Sequence, residues 1–299
     1  MAVGGAINHA LGNVLTRVAS VGGNPWAGSI LRTLPTAIIG FVGMAFRREQ
    51  GGKLLPRSKD FLGWRSIRLL IFYCLVIAPV SLISFYLAIR YGGVLVAVPI
   101  FATNSLLSAL IAIPFLGEAF NRRIGGGIGL TMFGIVILTY GQHVGSPVSA
   151  KWPLGVIFAL LTSLSWAAAA NLSRYLLPRG LDLFWLLGLS NGVGIIVMVS
   201  ILASLGQLDA LGEFSPLHTG QLLLSGIFSG IGGLLLSAAF LYTSVAIVTT
   251  IKSIDVALAT VLAVLLLGES ISVLIVSGIV LILGGVLIVI AGKPEQAEV

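Results

Sequence analysis

Cysteine, histidine and charged residues are all scarce in this chain, and each scarcity excludes a class of protein. The 299 residues include 1 cysteine and 3 histidines, and only 9% of them are charged. A single cysteine, Cys74, excludes an intrachain disulfide framework and a paired-cysteine metal site. The sequence also lacks the HExxH and GxSxG motifs, so it predicts no enzyme, no metal site and no cofactor.

Apolar residues take the place of the missing charge. Hydrophobic residues make up 57% of the chain and its mean hydropathy is +1.08, whereas a soluble domain carries roughly a quarter charged residues. One transmembrane helix needs about 20 apolar residues, so the length accommodates about ten spans. This composition predicts an integral membrane protein in contact with the lipid bilayer.

Apolar runs bounded by glycine, proline and charge predict an all-α protein of ten transmembrane helices. The N-terminal run lacks a basic start and contains Asn8, His9 and Asn13, so we interpret it as a retained span and not as a cleaved signal. The ten predicted helices cover residues 3–21, 26–46, 67–89, 93–113, 124–142, 153–174, 183–205, 217–240, 244–265 and 272–291.

The basic residues between these runs predict the orientation in the membrane. Because cytoplasmic loops are enriched in Lys and Arg, we expect both termini on the cytoplasmic side of the cytoplasmic (inner) membrane. The net charge of +7 does not indicate nucleic-acid binding, since no soluble face carries a basic patch. Twelve basic residues fall on the cytoplasmic side in this arrangement: Arg47, Arg48, Lys53, Arg57, Lys59, Arg65, Arg68, Arg122, Arg123, Arg174, Arg179 and Lys293.

An internal repeat divides the chain into two halves, residues 1–146 and 147–299. The stretch from Tyr91 to Gly141 matches Tyr242 to Gly292 at an offset of 151 without a gap. Nearer the start, the sequence HALGNVLTR at 9–17 aligns with WAAAANLSR at 166–174. Each half holds five predicted spans, and an odd number inverts the second copy in the membrane. Two inverted five-helix repeats are typical of transporters that alternate between two open states.

The repeated Leu-Gly-Glu turn places Glu118 and Glu269 at equivalent positions, just before the last helix of each half. Such a carboxylate can accept hydrogen bonds from free N–H groups at a helix N-terminus and interact with the helix dipole. We therefore predict a structural role for both glutamates in these turns, on opposite faces of the membrane.

These features resemble the drug/metabolite transporter superfamily, in particular its ten-helix EamA-type members. The resemblance rests on the turns at 116–118 and 267–269, the glycine-patterned helices after them, and Trp166 with Asn171. It implies two inverted five-helix repeats, cytoplasmic termini and secondary transport, commonly export, of small organic metabolites such as amino acids. The chain departs from the pattern at His9, which stands where the second half has Trp166.

The sharpest candidate site lies in the middle of the ninth predicted helix. Burying the charges of Lys252 and Asp255 in a bilayer costs free energy. Their i, i+3 spacing lets the two side chains share one helix face and form a pair. Asn104 matches Asp255 at the offset of 151, so the two are candidates for opposite walls of a substrate pathway. Two interpretations stay open: the pair binds substrate or protons, or it only neutralises itself.

Polar stripes on the first helix of each half provide further candidates. His9 and Asn13 recur at helical spacing in one half, and Trp166 and Asn171 lie in the other. Substrate contact or protonation at His9 competes with an ordinary interhelical hydrogen bond, and a pathway wall at Trp166 competes with simple packing.

Four further residues were assigned weaker or peripheral roles. Tyr86 and Tyr242 are weaker pathway candidates, because aromatic belts account for such residues without a substrate. We expect Arg32 and Arg90 to extend outward to the membrane surface.

Secondary transport of a small molecule is the function that these observations favour. A channel is disfavoured because ten inequivalent helices offer no ring of repeated filter residues. A lipid-handling or chaperone-like membrane protein remains the alternative. Proton coupling is open, and so is the choice between monomer and dimer.

Overall fold

The computed structural model describes residues 1–19, 24–49, 64–118, 121–143, 151–267 and 272–292. These residues form α-helices, short π- or 3₁₀-helical segments and turns. The helices are α1 (Ala2–Ala19), α2 (Pro25–Glu49), α3 (Trp64–Phe72), α4 (Ala78–Ala102), α5 (Asn104–Leu116), α6 (Arg122–His143), α7 (Trp152–Leu176), α8 (Leu183–Ser204), α9 (Pro216–Ala239), α10 (Val245–Lys252), α11 (Ile254–Leu267) and α12 (Val273–Ala291).

Eight helical stretches within the described residues are long and apolar enough to cross a membrane, and Ile100–Leu116 is a shorter apolar helix. Helix α1 also has 18 residues, but with its polar residues it does not reach the hydropathy of these eight stretches. Each helix satisfies its own backbone hydrogen bonds, which a span in hydrocarbon requires. The chain is therefore a multi-pass, all-α integral membrane protein.

A π-helical segment, Tyr73–Ile77, joins α3 to α4 immediately before Pro79. Proline has no N–H and its ring crowds the carbonyl four residues earlier, so the wider π turn relieves the clash. The sequence predicts a continuous helix over residues 67–89, and the structure contains a π-helical segment within this range.

The chain also turns back within the range of α4, although the residues on both sides of the turn are helical. The rings of Phe85 and Phe101 stack with their centroids 5.1 Å apart, whereas a straight helix would separate them by about 24 Å. Both arms pack on α7: Ala88 from the first arm and Ala97 from the second share one cluster with Ala159. The turn falls where the sequence predicts the boundary between its third and fourth helices.

The most extensive helix contacts are α6–α12, α4–α7, α1–α9 and α2–α8, and the pairs α2–α8, α6–α12 and α5–α10 run antiparallel. In the α2–α8 pair, Trp26 and Ile30 share a cluster with Met198 and Leu202. At the opposite end of this pair, Arg47 forms an ion pair with Asp182. Because early residues of α2 meet late residues of α8, and the reverse, the two helices run in opposite directions.

The α6–α12 pair is antiparallel as well, and glycines bring its backbones close together. A Cβ atom added at Gly134 would lie 2.8 Å from the backbone nitrogen of Ile282, and one added at Gly127 would lie 2.9 Å from that of Val289. Small residues are the usual means of close helix approach in membranes. The third pair, α5 with α10, contributes Ala109 beside Ile247 and Ile251 in one core cluster.

Candidate functional site

Two helices that the sequence predicts as continuous spans are interrupted in the middle. Thr103 separates α4 from α5, and its N–H donates to Ile100 O at 3.0 Å. Ser253 separates α10 from α11, and its N–H donates to Thr250 O at 3.0 Å. Both bonds reach back three residues instead of four, which tightens the turn and ends the α-helix. Equivalent positions of the two halves thus carry the same kind of break.

The two breaks contact one another. Ser105, in the first turn of α5, donates a hydrogen bond to Thr249 O at 3.2 Å and lies 3.4 Å from the Ser253 hydroxyl. Broken helices expose polar backbone ends at membrane depth, which is tolerated only inside protein or along a polar pathway. This crossing is therefore the polar centre of the described structure.

Lys252 and Asp255 lie on either side of the second break. The Lys252 Nζ atom is 3.5 Å from Asp255 Oδ2, so the pairing expected from their spacing is present. Lys252 is in the last turn of α10, where the dipole is negative, and Asp255 is in the first turn of α11, where it is positive. Each charge is thus stabilised both by its partner and by a half-helix end.

An aromatic cluster borders this ion pair. The Lys252 Nζ atom lies 5.4 Å from the centre of the Trp166 ring, within the range of a cation–π contact. Trp166 in turn contacts Phe101 and Phe85, with centroid separations of 5.3 and 5.7 Å. The Lys252 side chain is 32% exposed despite its depth, so part of it faces open space beside these rings.

Asn104 and Asn171 are joined through Ser108 between α5 and α7. The Ser108 hydroxyl donates to Asn104 Oδ1 at 3.0 Å, and Asn171 Nδ2 donates to Ser108 O at 3.0 Å. The side-chain oxygen of Asn171 is buried without a partner among the described residues. Asn104 therefore bonds to Ser108 of its own helix, and the described hydrogen bonds do not connect it to Asp255.

Arg32 is the main residue that the sequence analysis misplaced. It was expected to extend outward, but its Nη2 atom donates to Asn13 Oδ1 at 2.9 Å and to Ser229 Oγ at 3.2 Å. Asp255 acts on it electrostatically from α11. The outward expectation is wrong because a polar partner on the neighbouring helix is closer than the membrane surface. Arg90, in contrast, is exposed.

The position of Arg32 could have been inferred from depth. Asn13 and Arg32 lie at similar distances in sequence from the connection between α1 and α2, so an antiparallel pair brings them to one level. Beside them, Thr16 Oγ1 and Ser225 Oγ are 2.6 Å apart. The stripe expected on α1 therefore packs against α9.

His9 belongs to the same region. The groups that act on it electrostatically are Lys252 and then Arg32, and its ring lies against Gly232 of α9. We call His9, Arg32, Trp166, Lys252 and Asp255 the midspan cluster. It combines two basic side chains, one carboxylate, an imidazole and an aromatic surface.

The two tyrosine candidates lie outside the midspan cluster. Tyr86 stacks on Trp26 with a centroid separation of 4.8 Å, and its buried hydroxyl has no partner among the described residues. Tyr242 is 65% exposed in the turn between α9 and α10. The structure therefore does not bring Tyr242 near the charged pair.

Glu118 binds a helix end, but not the one expected. Both carboxylate oxygens lie 3.0 Å from Val245 N, at the start of α10 in the other half. Arg174 approaches the same carboxylate at 3.8 Å and donates to the carbonyl of Phe240. The helix that follows Glu118 is capped by Asn121, which accepts from Ile124 N at 2.8 Å.

We call Glu118, Arg174 and the backbone at Phe240 and Val245 the Glu118 clamp. Burial raises the pKa of Glu118 above its ordinary value, while the Val245 hydrogen bond and the Arg174 charge lower it. Glu269, the equivalent of Glu118 in the repeat, lies outside the described residues.

Metal coordination finds no support in this part of the molecule. Within the described residues, no group of three or more His, Cys, Asp or Glu side chains could hold a metal ion. The chemistry available to the midspan cluster is therefore ionic pairing, hydrogen bonding, proton exchange and stacking.

Comparison with known proteins identifies the family. The model of the EamA-like transporter family matches residues 1–140 and again residues 153–291. An uncharacterized transporter from Clostridium kluyveri is 28% identical over 216 residues, which is 67% of this chain and 64% of that protein. A solved crystal structure with 16% identity superposes with a TM-score of 0.76 over 96% of this chain and 98% of its own, which indicates a shared fold. The chain belongs to the EamA-like transporter family of the drug/metabolite transporter superfamily.

Proposed function

We propose that the protein is a secondary active transporter that exports small organic metabolites, such as amino acids, across the cytoplasmic membrane by alternating access. The observation that carries this proposal is the contact between the two broken helices. Ser105 and Ser253 meet where Lys252 and Asp255 lie, so the polar centre falls at the interface of the two halves. Transporters place substrate sites at such interfaces between discontinuous helices.

The proposal includes ten spans arranged as two inverted repeats, residues 1–146 and 147–299. The antiparallel pairs support it, because α2 and α8, and α6 and α12, occupy equivalent positions in the two halves, and α5 and α10 are parts of the two equivalent broken spans. The family model also matches the chain twice, once in each half. Inverted repeats require equivalent helices to run in opposite directions, as these do.

The transport cycle would open the midspan cluster to each side in turn. The Glu118 clamp joins the turn after α5 to α10 and α7, so it links the two halves at one end of the molecule. On the proposed topology this end is cytoplasmic, and the clamp closes it. Opening to the cytoplasm would require Glu118 to leave Val245.

Proton coupling is part of the proposal, and His9 and Asp255 are the candidate groups. Both lie in the midspan cluster, and an imidazole or a carboxylate can exchange protons with a substrate pathway. Asp255 is paired with Lys252, so protonation of Asp255 would release the lysine for another anion.

Flux measurements test the function directly. Purified protein in proteoliposomes is loaded with radiolabelled amino acids, sugars or organic cations, and efflux is followed with and without a pH gradient. We expect protein-dependent efflux of at least one metabolite and acceleration by the gradient. Movement of fluorescent lipid between leaflets without metabolite flux would support the lipid-handling alternative instead.

Topology has its own test, because the native chain contains a single cysteine. In a Cys74→Ser background, Lys53→Cys places a unique thiol in the most basic connection. An impermeant maleimide added to intact cells should leave this thiol unlabelled and should label it after permeabilisation. Labelling in intact cells would place the connection outside and contradict cytoplasmic termini.

A further inference from the structure

The guanidinium of Arg32 is a partly buried cation with no carboxylate partner among the described residues. A guanidinium carries five N–H groups, and two protein acceptors, Asn13 and Ser229, engage only its Nη2 atom. Among the described residues, no carboxylate forms an ion pair with Arg32 within 4.0 Å. The Nη1 and Nε groups are therefore left for another acceptor.

The charge balance of the midspan cluster indicates what that acceptor is. Asp255 acts electrostatically on Arg32, but its carboxylate lies 3.5 Å from Lys252 and is partnered there. With His9 counted as neutral, the cluster has two cations and one anion. A membrane interior disfavours an unbalanced charge, so one further negative charge completes the site.

The apolar side of the cluster constrains the remainder of the ligand. Trp166 lies beside Lys252, and Phe101 and Phe85 extend the aromatic surface away from the charges. Pockets for small molecules combine such an apolar wall with a few placed polar groups. A ligand that satisfies both sides has a charged end and an apolar body.

We propose that Arg32 is the residue that recognises the substrate, and that the substrate is an organic carboxylate with an apolar body. The inference rests on the proposed transport function and specifies its substrate class. A carboxylate matches the planar guanidinium and supplies a single negative charge. A phosphate group carries closer to two charges at neutral pH and would overcompensate the cluster.

Binding to purified protein in detergent tests the assignment. The probes are acetate, butyrate, hexanoate, benzoate, phenylacetate, leucine and phenylalanine, each paired with its amide, together with inorganic phosphate. Thermal unfolding measures binding, because a ligand of the folded state raises the unfolding temperature. We expect at least one carboxylate with an apolar body to bind, and to bind more tightly than its amide.

Arg32→Gln should weaken carboxylate binding roughly 10- to 100-fold, which corresponds to losing charge-assisted hydrogen bonds. Arg90→Gln is the matched control, since it removes the same charge from an exposed position. Ser229→Ala removes one acceptor that braces Arg32 but keeps the guanidinium, so carboxylate binding should survive. If Arg32→Gln does not fold, Arg32→Lys tests the assignment instead. This variant keeps the positive charge but lacks the planar guanidinium, so the binding preference for a carboxylate over its amide should fall about tenfold.

Several outcomes would overturn the assignment: no carboxylate binds, phosphate binds in preference, or Arg32→Gln and Arg90→Gln behave alike. Flux separates this inference from the transport proposal. Efflux of a neutral or cationic metabolite that is indifferent to Arg32→Gln would retain transport and reject the carboxylate. Binding that depends on Arg32, without flux of any bound compound, would retain the binding site and reject transport.

Discussion

The Glu118 clamp predicts a graded change in how often the cytoplasmic end opens. Glu118→Gln keeps one carbonyl acceptor for Val245 N–H but loses the charge that interacts with Arg174 and with the N-terminus of α10. The ion pair is 3.8 Å long and partly exposed, so it contributes under about 1 kcal/mol, and the dipole term is similar. Glu118→Ala also removes the capping acceptor, which adds about 1 kcal/mol.

These losses of free energy change the populations of the closed and the open arrangement. A loss of about 1 kcal/mol in Glu118→Gln should raise the open population about fivefold, and about 2 kcal/mol in Glu118→Ala should raise it about 30-fold. The clamp acts on the closed arrangement alone, because opening separates Glu118 from α10. The effect therefore appears as opening and not as general instability.

Cysteine accessibility measures the opening. Ala112 is 1% exposed and packs beside Val245 in the core cluster next to the clamp. With Cys74→Ser as background, Ala112→Cys provides a unique buried thiol, which an impermeant maleimide reaches from inside-out vesicles only after opening. The labelling rate should follow the order wild type, Glu118→Gln, Glu118→Ala.

A control variant makes the result specific. Glu213→Gln removes a carboxylate from an exposed position before α9, and it should leave the labelling rate unchanged. Equal labelling in wild type and Glu118→Ala would refute the reasoning, and so would an equal rise in Glu213→Gln. The first result would mean that Glu118 does not hold the two halves together.

Two further predictions follow from the ion pair and the glycine contacts. Replacing only Lys252 or only Asp255 should destabilise the protein by roughly 3 to 5 kcal/mol, whereas Lys252→Met with Asp255→Asn should fold and lose flux; wild-type flux in that double variant would leave the pair a structural brace. Gly134→Ala places a Cβ atom 2.8 Å from α12 and should cost about 1 to 3 kcal/mol in thermal unfolding, while Gly126→Ala, with no atom within 4 Å of the added Cβ, should cost nothing.

Much of the fold can be predicted from the sequence, because the residues of each span themselves indicate where that span begins and ends. Apolar length, glycine and charge predict where helices begin and end without knowledge of their neighbours. The pairing of Lys252 with Asp255 is local in the same sense, since helical spacing alone brings them together. These predictions need no information about the packing of other helices.

The remaining features depend on contacts between distant segments. Arg32 turns inward because Asn13 and Ser229 accept its hydrogen bonds, and Glu118 caps α10 because the halves bring that helix end to it. The helix breaks at Thr103 and Ser253 could not be predicted from the apolar pattern, because a single hydrogen bond that reaches back three residues does not change the composition of the helix. Such features require the helix arrangement before they can be inferred.

The antiparallel pairs carry a consequence for biosynthesis. As the chain leaves the ribosome, the first half enters the bilayer with the glycine face of α6 uncovered, because its partner α12 is synthesised much later. The faces of α2 and α5 that pack on α8 and α10 likewise stay uncovered until those helices have been synthesised. A chain that stops after His143 would contain the described helices of the first half and none of these contacts, so the first half becomes a finished structure only when α8, α10 and α12 have been synthesised.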